Sequence, residues 1–189
     1  MKRFSLLLLD RDNVIVHMPS GQRYLYGDDP ISLVPGAANL IRSANKAGVP
    51  VGVATNQRGI ALASYPEMTE ATVSHFNIRM RERLRAEGAN IGEMYVCPHD
   101  ESDNCDCRKP KPGLILRALK DFAASKRSAV FIGDRATDLE AAIRAGITGI
   151  LVGDTNELVP KVRDQAAFST LVEAQEFLEP RWQPAIRGS

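Results

Sequence analysis

The sequence is poor in cysteine and in aromatic residues, and neither sign of charge is in excess. Cysteine occurs only 3 times among 189 residues, so a framework of several disulfide bonds is excluded. With 6% aromatic residues, and 24 Lys and Arg against 23 Asp and Glu, the chain lacks the stacking surface and basic stripe typical of nucleic-acid-binding proteins. The apolar run at 4–9 is too short to span a bilayer, and no signal-peptide cleavage site follows it. We therefore expect a cytoplasmic protein that binds neither nucleic acid nor a membrane, and we expect it to act as a monomer.

Short apolar runs alternate with amphipathic stretches along the chain. This alternation predicts an α/β fold with a parallel sheet flanked by helices. The predicted strands are 4–9, 49–54, 93–96, 129–132 and 149–152. The predicted helices begin after Pro35, cover about 69–87, 112–124 and 137–145, and begin again near Thr170, which has capping-box spacing to Glu173. We expect a single domain at 1–178 and a tail at 179–189, whose last three residues resemble a vector-derived addition.

Polar residues follow three of the predicted strands where each strand ends. The segments are Asp-Arg-Asp at 10–12, Thr-Asn-Gln at 55–57 and Gly-Asp-Arg-Ala-Thr-Asp at 133–138. Each segment alone could be a turn or a helix cap. Carboxyl ends of parallel strands meet at one edge of a sheet, however, where ligands bind in such folds. Carboxylates brought together there need a cation, and Mg²⁺ is the hard cation that also contacts substrate phosphates.

A second cluster lies in a single short segment. It has the pattern C-x-H-x₅-C-x-C and consists of Cys97, His99, Cys105 and Cys107. Four such ligands suit a closed tetrahedral Zn²⁺ site, which leaves no open position for water and is therefore structural. The alternative is a pair of buried thiols beside a surface histidine. Because Arg108 and Lys109 follow directly, a fixed loop would also fix these two cations.

Taken together, the segments and Lys109 resemble the four motifs of the haloacid dehalogenase superfamily of phosphohydrolases, in order and spacing, over roughly residues 5–155. The resemblance implies a Rossmann-like (HAD-type) sheet with Asp10 as nucleophile and Asp12 as general acid and base. Thr55 and the amide of Asn56 would receive the phosphoryl oxygens, while Lys109 would offset charge in the transition state.

The same resemblance implies a Mg²⁺ site. Its ligands would be Asp134, an oxygen of Asp10 and the backbone carbonyl of Asp12, with Asp138 orienting them from behind. The sequence departs from the family at Asn13 and Val14, where Gly and Thr are common. Asn tolerates the left-handed backbone that Gly supplies, whereas Val lacks the hydroxyl.

The zinc loop and the Asp-Arg-Asp start resemble one branch of the superfamily, whose members hydrolyse a heptose 1,7-bisphosphate or histidinol phosphate. This implies a capless fold with a zinc-binding loop and a small phosphorylated sugar or amino-alcohol substrate. We expect removal of the 7-phosphate in nucleotide-activated heptose biosynthesis, with histidinol phosphate as the alternative. The expected substrate contacts are Arg11, Met18, Gly21, Asn56, Gln57, Arg58, Arg108 and Arg135, with Arg23 as a weaker candidate.

A different class of function also fits part of the pattern. A zinc-stabilised binding module could accept a phosphoryl group on Asp10 without turnover. That interpretation gives Asp12 no function, whereas hydrolysis uses it directly.

Overall fold

The computed structural model describes residues 2–153 and 165–185, and a parallel sheet forms its centre. The strands are β1 (Leu6–Leu9), β2 (Val51–Asn56), β3 (Met94–Cys97), β4 (Ala129–Gly133), β5 (Thr148–Val152) and β6 (Gln165–Phe168). They pair in parallel in the order β3-β2-β1-β4-β5-β6. Each of the five predicted strands is present, and its ends lie within two residues of the predicted ones. β6 was not predicted, because Gln-Ala-Ala-Phe is short, only partly buried and without a large aliphatic residue.

Helices cover both faces of the sheet. They are α1 (Ala37–Lys46), α2 (Glu70–Ala86), α3 (Gly113–Asp121), α4 (Ala136–Ala145) and α5 (Leu171–Leu178). Each begins close to its predicted start. The Thr170 hydroxyl caps α5 by accepting from the Glu173 amide, but the Glu173 carboxylate accepts from Ser169 rather than from Thr170, so the predicted capping box is only half formed. In the described part of the chain no helix is long and apolar enough to cross a membrane.

β1 is buried on both faces, as expected of a central strand in a doubly covered parallel sheet. Leu7 and Leu9 pack in one core with the apolar faces of α1, α2 and α5. Leu6 and Leu8 pack in the other core with α3 and α4. This double burial holds the carboxyl end of β1 at the middle of the sheet edge, where Asp10 follows.

The residues after α5 pack against the sheet. Trp182 is buried among the core residues, and its indole donates a hydrogen bond to Ser43 Oγ at 3.1 Å. Phe4 N donates to Arg181 O, and Gln183 N donates to Phe4 O, each at 2.8 Å. The segment predicted to be a separate tail therefore begins as part of the packed chain. The proposed vector-derived end falls in 186–189, outside the described residues.

Candidate active site

The candidate site is a cleft of about 680 Å³ at the carboxyl ends of β1, β2 and β4. It lies where an open parallel sheet is expected to bind its ligand. Most of the predicted catalytic and substrate-binding residues line it: Asp10, Asp12, Met18, Asn56, Arg58, Arg108, Lys109, Asp134, Arg135 and Asp138.

Three carboxylates and one lysine form the centre of the cleft. Asp10, Asp134 and Asp138 each place a carboxylate oxygen within 4.8 Å of the others. Lys109 Nζ lies 2.9 Å from Asp10 Oδ1 and 2.7 Å from Asp138 Oδ1. It also donates to the backbone oxygen of Ala54 at 2.8 Å, and its side chain is almost fully buried. The lysine is thus held rigidly among the acids that it neutralises.

The charges in this cluster do not balance. Burial first, and then the charge of Asp10, raises the pKa of Asp134 to about 6. Burial also raises the pKa of Asp138, although Lys109 opposes that shift. For Lys109, burial alone lowers the pKa, but Asp10 and Asp138 outweigh it and the pKa is raised. Three ionised carboxylates against one ammonium group leave two negative charges, so a hard divalent cation such as Mg²⁺ fits this donor set.

Asp138 enters the cluster from the first turn of α4, and two contacts orient it. Its Oδ2 accepts a hydrogen bond from Arg135 N at 3.1 Å, which leaves Oδ1 facing Lys109. Gly133 makes room for it, since a Cβ on Gly133 would lie 2.2 Å from the Asp138 Cβ. The glycine at the end of β4 therefore permits the close approach of this carboxylate.

Asn13 adopts the left-handed backbone expected at this position, with a φ of 58°. Its side chain adds contacts that glycine could not make. Asn13 Nδ2 donates to Asp134 Oδ2 at 3.2 Å, and Asn13 Oδ1 accepts from Met18 N at 3.0 Å. The residue thus joins the carboxylate cluster to the loop that lines the cleft.

Arg11 and Gln57 were predicted to contact the substrate, and this prediction is wrong. Both are fully buried, with 0% exposure, and neither lines the cleft. Their donor groups point instead at the carboxylate of Asp12, which does line the cleft. They belong to the support of the site rather than to its surface.

Asn56 lines the cleft, but its side chain is already engaged. Its Nδ2 donates to Lys109 O at 3.0 Å and its Oδ1 accepts from Lys109 N at 3.1 Å. The Thr55 hydroxyl is buried and accepts from Gln57 Nε2 at 3.0 Å. The proposed phosphate contacts of Thr55 and of the Asn56 amide stay predictions.

The loop after β1 contributes a wall of the cleft that the sequence only partly indicated. Met18 lines the cleft as predicted, but Gly21 does not; it occupies a turn with a φ of 81° and open space around it. The lining residues that were not predicted as substrate contacts include Gln22, Tyr24, Asn104, Lys111, Thr137 and Arg144. No strand end or motif precedes Tyr24 or Arg144, so no sequence signal marked them.

The four predicted zinc ligands come together beside the cleft. One ligand atom from each of Cys97, His99, Cys105 and Cys107 lies within 4.8 Å of the others, and contacting pairs are 3.2 to 3.7 Å apart. A tetrahedral Zn²⁺ with bonds of about 2.3 Å to sulfur places its ligands about 3.8 Å apart. Burial first, and then hydrogen bonds with Cys97 and Cys105, raises the pKa of the Cys107 thiol. A bound cation would favour the thiolate form that burial disfavours, so the cluster is compatible with Zn²⁺.

Ion pairs connect this loop with the cleft. Arg58, after β2, pairs with Asp100, and Arg108 Nη2 lies 3.4 Å from a carboxylate oxygen of Glu101. Arg108 Nη1 is buried without a hydrogen-bond partner among the described residues. The loop therefore presents a guanidinium with unused donor capacity to the cleft.

A model of the haloacid dehalogenase-like hydrolases matches residues 3–146 of the chain. The chain belongs to this family. The predicted resemblance and fold class are confirmed, and so is the predicted enzyme class: this hydrolase is a phosphatase.

Two kinds of curated relative resemble this hydrolase. The D-glycero-beta-D-manno-heptose-1,7-bisphosphate 7-phosphatase of Pseudomonas putida is 37% identical over 147 residues, which cover 78% of the chain and 81% of the relative. The histidine biosynthesis bifunctional protein HisB of Legionella pneumophila is 33% identical over 151 residues, which cover 80% of the chain and 42% of HisB. Only part of HisB thus corresponds to this hydrolase.

A solved structure resembles this hydrolase over nearly its whole length. It is D,D-heptose 1,7-bisphosphate phosphatase from B. bronchiseptica, complexed with magnesium and phosphate. The TM-score is 0.82 at 27% sequence identity, and the match covers 93% of the chain and 98% of the other. Magnesium in this neighbour supports the divalent-cation site inferred from the carboxylate cluster.

Proposed function

We propose that the chain is a Mg²⁺-dependent phosphomonoester hydrolase that works through an aspartyl phosphate on Asp10. The observation that carries the proposal is the position of Asp10, which faces Lys109, Asp134 and Asp138 at the end of β1. Asp10 Oδ1 accepts from Arg11 N at 2.7 Å and contacts Lys109 Nζ at 2.9 Å. Oδ2 has no such donor among the described residues, so we assign the attack on phosphorus to Oδ2.

The reaction takes two displacements. Asp10 Oδ2 forms a bond to phosphorus while the bond to the leaving oxygen breaks, and Asp12 gives that oxygen a proton. Asp12 then takes a proton from water, whose oxygen attacks phosphorus and releases phosphate from Asp10. Lys109 offsets charge on the transferring group, and Mg²⁺, held by Asp10, Asp134 and the Asp12 backbone carbonyl, would supply further charge stabilisation.

For the substrate we propose a heptose 1,7-bisphosphate that loses its 7-phosphate, within the biosynthesis of nucleotide-activated heptose. The 37% identical relative carries that activity in its name. Basic side chains around the carboxylate cluster suit a second phosphate, because Arg pairs with phosphate through two hydrogen bonds. Those that line the cleft are Arg23, Arg58, Arg108, Lys111, Arg135 and Arg144.

Histidinol phosphate is the second candidate. HisB relatives reach 33% identity, and Asp100 and Glu101 line the cleft, where a carboxylate can bind the ammonium group of an amino alcohol. Parallel phosphate-release assays on heptose 1,7-bisphosphate and histidinol phosphate separate the two. We expect kcat/KM to be at least about tenfold higher for the bisphosphate, a difference of about 1.4 kcal/mol. Equal inactivity on both substrates would remove both assignments.

We further propose that Zn²⁺ bound to the Cys/His cluster is structural. Cys105→Ser should lower the zinc content per chain and the thermal midpoint, because a structural ion contributes directly to folding. Mg²⁺ affinity should change less than either. Elemental analysis and thermal melts provide the measurement.

Asp106→Asn is the matched control for this variant. Asp106 lies between Cys105 and Cys107, but its side chain is fully exposed and it is not among the four ligands. The Asp106→Asn variant should contain as much zinc per chain as the parent protein. Unchanged zinc content in Cys105→Ser would contradict the ligand set.

Mg²⁺ affinity should fall as the pH drops below about 6. A carboxyl group must be ionised to bind a hard cation, and the pKa of Asp134 is raised to about 6. We expect a loss of up to about tenfold per pH unit below that value and little change above pH 7. Calorimetric titration with MgCl₂ across this range measures it. A flat profile would contradict Asp134 as a ligand.

In the metal-free protein, the carboxyl group of Asp134 also makes the free energy of unfolding depend on pH. Between its ordinary pKa of 3.8 and about 6, the native state holds more protons at Asp134 than the unfolded state does. This group's contribution to stability therefore decreases as the pH rises through that interval.

A further inference from the structure

Two buried side chains hold the carboxylate of Asp12 in place. Arg11 Nε donates to Asp12 Oδ1 at 2.9 Å, and Arg11 Nη2 donates to Oδ2 at 3.2 Å. Gln57 Nε2 donates to the same Oδ2 at 2.8 Å. A carboxylate has about four acceptor positions, so these three bonds leave about one for a group in the cleft. The Asp12 side chain is 20% exposed, which provides that access.

Arg11 is bound on its other side by two further elements. Its Nη1 donates to Asn77 Oδ1 on α2 at 3.0 Å, and its Nη2 donates to Leu25 O at 3.0 Å. The guanidinium carbon lies 5.0 Å from the centre of the Phe76 ring. A fully buried guanidinium is costly unless it is paired, and Asp12 is its carboxylate partner among the described residues. Its position is therefore fixed from several directions.

Leu25 belongs to the loop that forms one wall of the cleft. The residues just before it, Gln22, Arg23 and Tyr24, line that wall. One guanidinium group thus bonds both to the proton-transfer residue and to the backbone of the substrate-facing loop. A displacement of this loop would therefore also displace the Asp12 carboxylate, because the Arg11 side chain bonds to both.

We propose that Arg11 is a positioning residue for proton transfer by Asp12, with Gln57 as its second support. Together they orient the remaining lone pair of Asp12 toward the oxygen that receives or gives the proton. Through its bond to Leu25 O, Arg11 also keeps the Asp12 carboxylate in a fixed position relative to the substrate-facing loop. The inference rests on the proposed role of Asp12 as general acid and base. It also accounts for the full burial of two polar residues beside an otherwise open cleft.

Leaving-group dependence tests this role, because only a poor leaving group needs a proton. In Arg11→Met, kcat/KM should fall at least about tenfold for the sugar or amino-alcohol phosphate that the parent enzyme hydrolyses. For p-nitrophenyl phosphate, whose phenolate leaves without protonation, it should fall less than about threefold. A role confined to folding would lower both values by the same factor.

Gln57→Met provides a second variant in case Arg11→Met does not fold. It removes one donor to Asp12 and keeps a buried side chain of similar length, so it should show the same discrimination with a smaller amplitude. Arg79→Met is the matched control. Arg79 also joins the loop to α2, through bonds to Gly27 O and Asp29 O at 2.9 and 3.1 Å, but has no contact with Asp12. It should leave the ratio of the two kcat/KM values unchanged.

Asp12→Asn separates this inference from the function on which it rests. In one outcome, Asp12→Asn lowers kcat/KM mainly for the alkyl phosphate, whereas Arg11→Met and Gln57→Met lower it equally for both substrates. The positioning role is then overturned and the proposed function stands. If Asp12→Asn shows no selective loss, the acid and base role itself fails. Selective loss in all three variants, and not in Arg79→Met, is the supporting result.

Discussion

We expect Asp10→Asn to lower kcat by about 10⁴-fold or more and to leave the protein folded. An amide is not nucleophilic enough to attack phosphorus, and without the aspartyl phosphate the two-step route is closed. The free energy of unfolding should not fall, because the substitution removes a charge that repels the carboxylates of Asp134 and Asp138. In the parent protein this repulsion raises the pKa of both groups. Steady-state phosphate release and urea unfolding measure the two effects.

Asp121→Asn provides the comparison for this substitution. It makes the same chemical change at the end of α3, where the half-exposed carboxylate of Asp121 pairs with Arg117 on the surface. It should keep activity within about twofold of the parent protein. Asp10→Asn activity close to that of the parent would refute Asp10 as nucleophile.

We expect Lys109→Met to lower both the free energy of unfolding and the turnover rate. Removing one partner from a buried ion pair leaves uncompensated charge, which costs about 3–5 kcal/mol. Here the lysine contacts Asp10 at 2.9 Å and Asp138 at 2.7 Å, and its side chain is 2% exposed. The loss should be smaller near pH 5 than near pH 8, because protonation of Asp138 removes part of the unpaired charge. Urea unfolding at both pH values measures it.

Lys111→Met tests whether any lysine of this loop has the same effect. Lys111 lines the same cleft, but its side chain is 35% exposed and its ammonium group bonds to Asn104 at the surface. Lys111→Met should lower the free energy of unfolding by less than about 1 kcal/mol. Equal destabilisation by the two substitutions would contradict the central position given to Lys109.

The centre of the site could be predicted because it follows from strand ends. Asp10, Asn56 and Asp134 each lie at the end of a buried apolar run, and the ends of parallel strands meet at one edge. The members of the Cys/His cluster could be predicted from their spacing alone. In both cases a local pattern determines which residues come together.

Orientation was harder to predict than position. Successive side chains in extended backbone point to opposite sides, so the rule that brings Asp10 and Asp12 together sends Arg11 into the core. Arg11 was nevertheless predicted as a substrate contact, although its side chain is fully buried. The walls supplied by Tyr24 and Arg144 depend on how a long loop and a helix pack over the sheet, which no local pattern encodes.

The position of Trp182 gives this protein a built-in reporter. It is the single tryptophan of the chain, and it is buried between Phe4 and α1 at the amino end of β1, opposite the cleft. Substitutions at Asp10, Lys109 or Arg11 do not touch its surroundings, so its fluorescence in the native state should be the same in every variant. Its emission on unfolding then follows the whole domain, and differences between variants measure stability without a signal from the altered side chain.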